Sequence, residues 1–141
     1  MKPDAYSTIN SLPEGDKYFA AILMKDIFLT ELLEEDRAEI LYFGGRSLAR
    51  QFASNTLMGI EEFFNKAGWG DLEMSSQKET SQSWVLTGDG LTARFLALEE
   101  PTFYLEAGFI AQQITQQLGR NVEAGYQING QKSVTFDVEI S

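Results

Sequence analysis

The chain has 141 residues, 43% of them apolar and 23% charged, which is the size and balance of a single globular domain. Its 21 acidic and 11 basic residues give a net charge of −10, which repels a phosphate backbone, so we expect no nucleic-acid partner. The chain has no cysteine and no histidine, which excludes disulfides and thiolate metal sites and removes the commonest general base and metal ligand.

The sequence predicts an N-terminal arm attached to a single domain. Residues 1–15 are polar and contain two prolines, a pattern typical of a loose, extended arm, with a single domain following over 16–141. No apolar targeting segment opens the sequence, and the longest apolar run, 18–24, has seven residues, too few to span a membrane. We therefore expect a cytoplasmic protein without a membrane span.

Helical spacing of apolar residues predicts three helices in the first half of the chain, over 17–33, 36–52 and 57–67. Asp16 can cap the first helix, which is apolar on more than one side and needs cover there. Gly44 and Gly45 lie inside the second helix and each costs about 1 kcal/mol relative to alanine. We expect a neighbouring backbone or a ligand to approach closely at that point.

The second half of the chain predicts two hairpins separated by helices. Strands over 69–77 and 82–87 form the first hairpin, a short helix over 91–98 and a strong helix over 102–118 follow, and the last 20 residues alternate as a second hairpin. A two-residue turn at Asn129 and Gly130 would put the two apolar sets on opposite faces, so we predict a three-residue loop over 128–130 with Gly130 left-handed. The predicted fold is α+β, with an antiparallel four-stranded sheet packed against about four helices.

No motif points to catalysis. Residues 88–93 fit the dinucleotide-binding pattern G-x-G-x-x-A, but too few residues precede Pro101 for a crossover helix. Residues 45–49 partly match a nucleophile elbow but lie mid-helix in a chain without histidine. The carboxylate pairs at 34–35, 61–62 and 99–100 are sequence neighbours whose side chains diverge on a helix. We predict no catalytic residues, no metal site and no cofactor.

From the residues alone, two kinds of ligand site are possible. Small and aromatic side chains could line a slot for an apolar ligand between the Gly44–Gly45 helix and the helix over 103–118, although an ordinary filled core uses the same residue types. The candidate pocket residues are Tyr42, Gly45, Leu48, Ala49, Phe52, Trp69, Trp84, Phe103, Ala107, Gly108 and Ala111. Arg46 and Arg50, one helical turn apart, could bind an anionic head group or form salt bridges with the acidic surface.

The first helix suggests a protein interface instead. Its candidate homodimer residues are Tyr18, Ala21, Met24, Phe28, Leu29 and Leu32. The acidic residues Glu31, Glu34, Glu35, Asp36 and Glu39 lie close together near the end of this helix, where they could meet a basic protein partner or form a solvated surface.

Three segments together resemble the YslB-like family of Firmicute proteins: 42–50 (YFGGRSLAR), 67–70 (AGWG) and 105–113 (LEAGFIAQQ). More distantly, the order of elements resembles the vinyl-reductase-type small-molecule-binding domain and the Bet-three-like subunits of the TRAPP tethering complex. This resemblance implies an antiparallel sheet on helices, a hydrophobic channel for acyl or hydrocarbon groups, and dimerisation through the first two helices. The zinc-binding cysteines and the haem-binding histidine of related domains have no counterpart in this chain.

Two hypotheses follow for the function. The first is a non-enzymatic module that binds an apolar small molecule or acyl chain in a hydrophobic channel. The alternative is a dimeric protein–protein interaction or scaffold protein without a small-molecule ligand.

Overall fold

The computed structural model describes all residues from Met1 to Ser141. The fold is α+β with a four-stranded antiparallel sheet, as predicted. The helical elements are α1 (Ala5–Asn10), α2 (Gly15–Ala21), a π-helical segment (Ile22–Phe28), α3 (Leu29–Leu33), a 3₁₀ turn (Glu34–Asp36), α4 (Arg37–Gln51), α5 (Leu57–Lys66), α6 (Asp89–Ala97) and α7 (Tyr104–Leu118). The strands are β1 (Asp71–Gln77), β2 (Ser81–Thr87), β3 (Val122–Asn129) and β4 (Ser133–Ile140).

The sheet has the order β1-β2-β4-β3 and consists of the two predicted hairpins. In the C-terminal hairpin Tyr126 pairs with Phe136, so the apolar residues of both strands share one face, as the odd loop requires. Gly130 is left-handed, with φ of 62°. The loop is 130–132 and not 128–130, because Asn129 still pairs with Ser133 and its side chain donates to Ser133 Oγ at 3.2 Å. A shift of two residues preserves the faces.

The main hydrophobic core lies between the apolar face of the sheet and helices α5 and α7. Trp84 and Phe136 from the sheet meet Phe64 of α5 and Phe109 of α7, all fully buried. Helix α4 packs on the other side of α7, which explains why α7 is apolar almost all round in its first half. No apolar residue before Tyr42 belongs to this core or packs against it, but the Lys25 ammonium lies 5.1 Å from the ring centre of Trp69.

Residues 1–15 differ from the extended arm that their composition indicated. Ala5 and Ile9, four residues apart in α1, are buried and pack in a second, smaller cluster with Ala93 and Ala97 of α6. The next helix begins at Gly15 and not at Lys17, so Asp16 lies in its first turn instead of capping it. A Cβ atom on Gly15 would lie 2.2 Å from the carbonyl oxygen of Ile9, so the turn between α1 and α2 requires glycine.

Candidate functional site

The predicted slot between α4 and α7 is a direct contact between the two helix backbones. A Cβ atom on Gly45 would lie 2.0 Å from the carbonyl oxygen of Leu105, and one on Gly108 would lie 2.0 Å from that of Tyr42. Ala49, the next small residue along α4, is also completely buried. The close approach expected at Gly45 is therefore made by a neighbouring backbone, which fills the space assigned to a ligand.

The other predicted pocket residues are distributed through the protein and do not surround one cavity. Trp69, Trp84, Phe103, Ala107 and Ala111 are buried in the main core, Tyr42 and Leu48 are half-buried, and Phe52 is 54% exposed at the end of α4.

Arg46 connects three elements from a buried position. Its guanidinium donates to Gln112 Oε1 of α7 at 2.9 Å, to Glu123 Oε1 of β3 at 2.8 Å and to the carbonyl oxygen of Val122. Arg50 is exposed to solvent, so the two arginines do not form a shared clamp. Arg46 therefore links α4, α7 and β3 through hydrogen bonds, because its donors point into the protein.

Tyr42 adds two further polar contacts beside Arg46. Its hydroxyl donates to Glu123 Oε2 at 2.7 Å and accepts a hydrogen bond from the Ala124 backbone N–H at 3.0 Å. Burial, followed by the hydrogen bond to Glu123, raises the pKa of Tyr42 above its usual 10.0. The tyrosine is therefore a neutral donor at physiological pH.

A shallow surface cleft of about 530 Å³, wide open to solvent, lies beside Tyr42 and Arg46. It is lined by Ala38, Glu39, Tyr42, Phe43, Arg46, Tyr104 and Glu123. The ring of Phe43 is 65% exposed, and the ring of Tyr104 lies 5.3 Å from that of Tyr126. Burial, and then the Tyr104 hydroxyl, raise the pKa of Tyr126 to about 12. The cleft therefore has aromatic walls beside one buried arginine.

Four charged side chains form a buried cluster under the N-terminal helices. Lys25 Nζ lies 2.7 Å from Glu106 Oε2, and Arg94 Nη1 lies 2.9 Å from the same oxygen. Arg94 donates two hydrogen bonds to the Asp26 carboxylate, from Nε at 2.9 Å and from Nη2 at 2.5 Å. Arg94 and Glu106 are at most 3% exposed, so these charges interact outside the screening of bulk water.

Opposite effects set the pKa values in this cluster. Burial would raise the pKa of Glu106, but the charges of Lys25 and Arg94 outweigh it and hold the pKa below its usual 4.5. Burial and the charge of Arg94 lower the pKa of Lys25. Burial favours the neutral form of Arg94, but the carboxylates of Asp26 and Glu106 outweigh it and raise its pKa. The Glu106 carboxylate is thus kept ionised by the neighbouring cations.

The predicted dimer face is partly exposed. Met24, Phe28 and Leu32 are 59%, 51% and 63% exposed and follow one another at intervals of four residues, so they share one side of the helical run. Tyr18 is buried against α1 and α6, and Ala21 and Leu29 are half-buried. The unpartnered apolar row is therefore Met24, Phe28 and Leu32.

The acidic residues Glu31, Glu34, Glu35, Asp36 and Glu39 are all exposed. No group of three or more carboxylates in the described chain is arranged to hold a metal ion. None of the helices combines the length and apolar character needed to cross a membrane.

The sequence profile of a family described as a protein of unknown function, DUF2507, matches residues 18–139. The chain belongs to this family. The chain is similar to the uncharacterised protein YslB of Bacillus subtilis (strain 168), with 34% identity over 128 residues, which is 90% of this chain and 86% of that protein.

Two solved structures share the fold of this DUF2507 chain. A vinyl-4-reductase family protein of Methanocaldococcus jannaschii aligns with a TM-score of 0.57 at 17% identity, over 99% of this chain and 94% of the other. The phenol-responsive sensory domain of the transcription activator PoxR, solved with phenol, aligns with a TM-score of 0.56 at 10% identity, over 87% and 74% of the two chains.

The sequence predictions named Tyr42 for an internal slot and Arg46 for an anion site, not for this cleft, and they missed the charged cluster of this DUF2507 chain. Tyr42 and Arg46 were predicted as site residues, whereas Phe43 and Tyr104 were not, because both lie beside the apolar faces used for packing. The signal for the cluster in the sequence was the presence of charged residues within otherwise apolar segments. Lys25 and Asp26 interrupt the apolar stretch 22–29, and Glu106 interrupts the apolar first half of α7.

Proposed function

We propose that this chain is a binding module for a neutral, apolar small molecule, and that the ligand binds in the cleft beside Phe43 and Tyr104. The observation that carries the proposal is the cleft itself, because about 530 Å³ lies within the usual range of small-molecule sites. The fold shared with a sensory domain solved with phenol supports a small aromatic or hydrocarbon ligand. This cleft replaces the internal channel as the proposed site.

The charges around the cleft favour a neutral ligand over an anion. Glu39 and Glu123 contribute two negative charges against the single positive charge of Arg46, and Arg46 is already bound to Glu123. A free carboxylate would meet net repulsion there. We propose binding without catalysis, because Glu123 is engaged by Arg46 and Tyr42 and the cleft offers no paired acid and base.

Ligand binding can be tested by mass spectrometry of a solvent extract and by NMR titration of the protein with phenol and small hydrocarbons. Phe43→Ser should weaken binding about ten-fold or more, since burial of an aromatic side chain contributes about 1.5–3 kcal/mol. Met58→Ser is the matched control, because Met58 is equally exposed at 66% but lies on α5. Equal affinities of the two variants, or no binding by the wild type, would contradict the proposal.

A second candidate function is a dimeric interaction protein, and the apolar row Met24, Phe28 and Leu32 favours it. Three large apolar side chains that are more than half exposed on one helix side are typical of an interface core. Phe28→Ser with Leu32→Ser should convert a dimer to a monomer in sedimentation equilibrium without changing the circular dichroism spectrum. A wild-type monomer at high concentration, or a dimer that persists in the double variant, would exclude this interface.

A further inference from the structure

In the buried charged cluster, two residues that are adjacent in the sequence pair with two residues that are distant in the sequence. Lys25 and Asp26 are adjacent in the π-helical segment, and they present an ammonium group to Glu106 and a carboxylate group to Arg94. The contact between Asp26 and Arg94 is two-pronged, which is the geometry by which arginine recognises carboxylates. The N-terminal segment thus places one positive and one negative group into a buried polar site.

Arg94 and Glu106 are held in position without the help of Lys25 and Asp26. Arg94 Nη1 lies 2.9 Å from Glu106 Oε2, and Nη2 donates to the carbonyl oxygen of Thr102 at 2.5 Å. The guanidinium also stacks 4.2 Å from the ring centre of Phe103, a cation–π arrangement. These contacts lie within α6, α7 and the segment between them, so that side of the site is preformed.

The fit of Lys25 and Asp26 to this site is incomplete. Glu106 is fully buried, and its Oε1 has no hydrogen-bond partner. Glu106 also lines a cavity of about 10 Å³ together with Leu41, Thr102 and Leu105, a space close to that of a single water molecule. Buried carboxylate oxygens are normally satisfied, and either a water molecule or the donor of a bound ligand can satisfy Glu106 Oε1.

The segment that carries Lys25 and Asp26 can move without dismantling the main core. It is π-helical, with the Leu29 N–H donating to the Met24 carbonyl oxygen, and such segments are rare and frequent at functional sites. Its buried apolar residue Ile22 belongs to the smaller cluster with α1 and α6, and the segment touches the main core through the Lys25 ammonium, which lies 5.1 Å from the ring centre of Trp69. Lys25 and Asp26 could therefore withdraw while α7 and the sheet stay packed.

We propose that Arg94 and Glu106 form an internal binding site for a small zwitterion with neighbouring ammonium and carboxylate groups, such as a free α-amino acid, and that Lys25 and Asp26 occupy this site in the unliganded chain. Arg94 and Glu106 touch each other at 2.9 Å, so the two groups that they recognise must be close together on one molecule. A zwitterion replaces Lys25 and Asp26 without changing the net charge of the buried site, and its ammonium brings a donor for Glu106 Oε1.

The direct test removes the internal occupant. Lys25→Ala with Asp26→Ala removes one charge of each sign together with the side-chain volume, and it leaves Arg94 paired with Glu106, so the double variant should fold. NMR titration with glycine or alanine should show binding at least about ten-fold tighter than to the wild type, because no side chain competes for the site. The matched control is Asp16→Ala with Lys17→Ala, another Asp–Lys neighbour pair, exposed on α2, which should bind like the wild type.

Two further measurements decide the ligand class and guard against misfolding. Acetate and methylammonium each carry half of the ligand, and each should bind the double variant at least about ten-fold more weakly than glycine. In the wild type, a high concentration of glycine should speed amide hydrogen exchange over 22–28 and leave α7 protected. The proposal is overturned if acetate binds as tightly as glycine, if the double variant binds no better than the control, or if exchange over 22–28 does not change.

Discussion

Gly45 determines how closely α4 and α7 approach, and its neighbour Gly44 does not. A Cβ atom at position 45 would lie 2.0 Å from a backbone oxygen of α7, whereas one at position 44 would meet only Leu105 Cδ1, at 3.7 Å. The two glycines are adjacent in one helix and have the same intrinsic propensity. They therefore provide a matched pair for separating helix packing from helix propensity.

Gly45→Ala should destabilise the protein, and Gly44→Ala should stabilise it. The first change forces two backbones apart, and overpacking of this kind typically costs about 1–3 kcal/mol. The second replaces glycine in a helix and gains up to about 1 kcal/mol. Urea unfolding followed by circular dichroism measures both changes in the free energy of unfolding. A Gly45→Ala variant as stable as Gly44→Ala would show that the contact yields without cost.

The stability of the protein in acid should depend on Glu106. The folded-state pKa of Glu106 lies below its usual 4.5, so the unfolded chain takes up a proton at this residue at a higher pH than the folded chain does. The contribution of Glu106 to the free energy of unfolding is therefore fully present above about pH 4.5 and is lost as the pH falls through the lower folded-state pKa.

Glu106→Gln should remove this part of the acid sensitivity. Urea unfolding at pH 7 and pH 3 should show a smaller loss of stability on acidification for Glu106→Gln than for the wild type, although the variant is less stable at pH 7 because Lys25 and Arg94 lose a charge partner. Glu62→Gln is the control, since Glu62 is exposed on α5. The assignment to Glu106 is refuted if Glu106→Gln and Glu62→Gln lose equal stability in acid.

At the scale of the elements, the C-terminal hairpin and helices α4 and α7 follow from the sequence because their apolar spacing directly reflects which side is buried. Alternation alone gives the shared face of β3 and β4, and helical spacing gives the buried face of α4. Loop position was less predictable, since a shift of two residues leaves every side chain on the same face.

The π-helical segment and the charged cluster could not be predicted from local patterns. Lys25 and Asp26 interrupt an apolar helical pattern, and nothing in that pattern identifies their partners, which are 81 and 68 residues away in the chain. The same limit applies to Arg46, whose spacing from Arg50 suggested an anion clamp, while its acceptor in α7 is 66 residues distant. Small residues such as Gly45 also have the same pattern whether a ligand or a helix fills the space.

The helical run from α2 to α3 should open more readily than the rest of the protein. The buried apolar residues of α2 and the π-helical segment belong to the smaller cluster with α1 and α6, α3 contacts α4, and the middle of the run is joined to α7 through charges. Hydrogen-exchange mass spectrometry should therefore show faster exchange for 22–33 than for the buried part of α7. Equal protection of both segments would mean that the N-terminal helices unfold only together with the main core.

At the scale of the whole molecule, the net charge of −10 bears on both kinds of protein partner. A homodimer brings two such charges together, and the apolar row Met24, Phe28 and Leu32 is followed by exposed Glu34, Glu35 and Asp36. A basic partner would instead be attracted to the same acidic residues. Salt screens both interactions. It should strengthen a homodimer by reducing the repulsion between the two chains, and weaken the binding of a basic partner by reducing the attraction.

Salt dependence should therefore distinguish the two interfaces. If the apolar row forms a homodimer, raising sodium chloride from about 0.02 to 0.3 M should tighten self-association, because repulsion between like charges is screened over the Debye length while apolar burial is unaffected. Sedimentation equilibrium measures this dissociation constant. Replacing Glu34 and Glu35 by glutamine should tighten the dimer at low salt and reduce its salt dependence. Self-association that weakens with salt would instead indicate ion pairs across the interface, and would rule out the apolar row as its main contact.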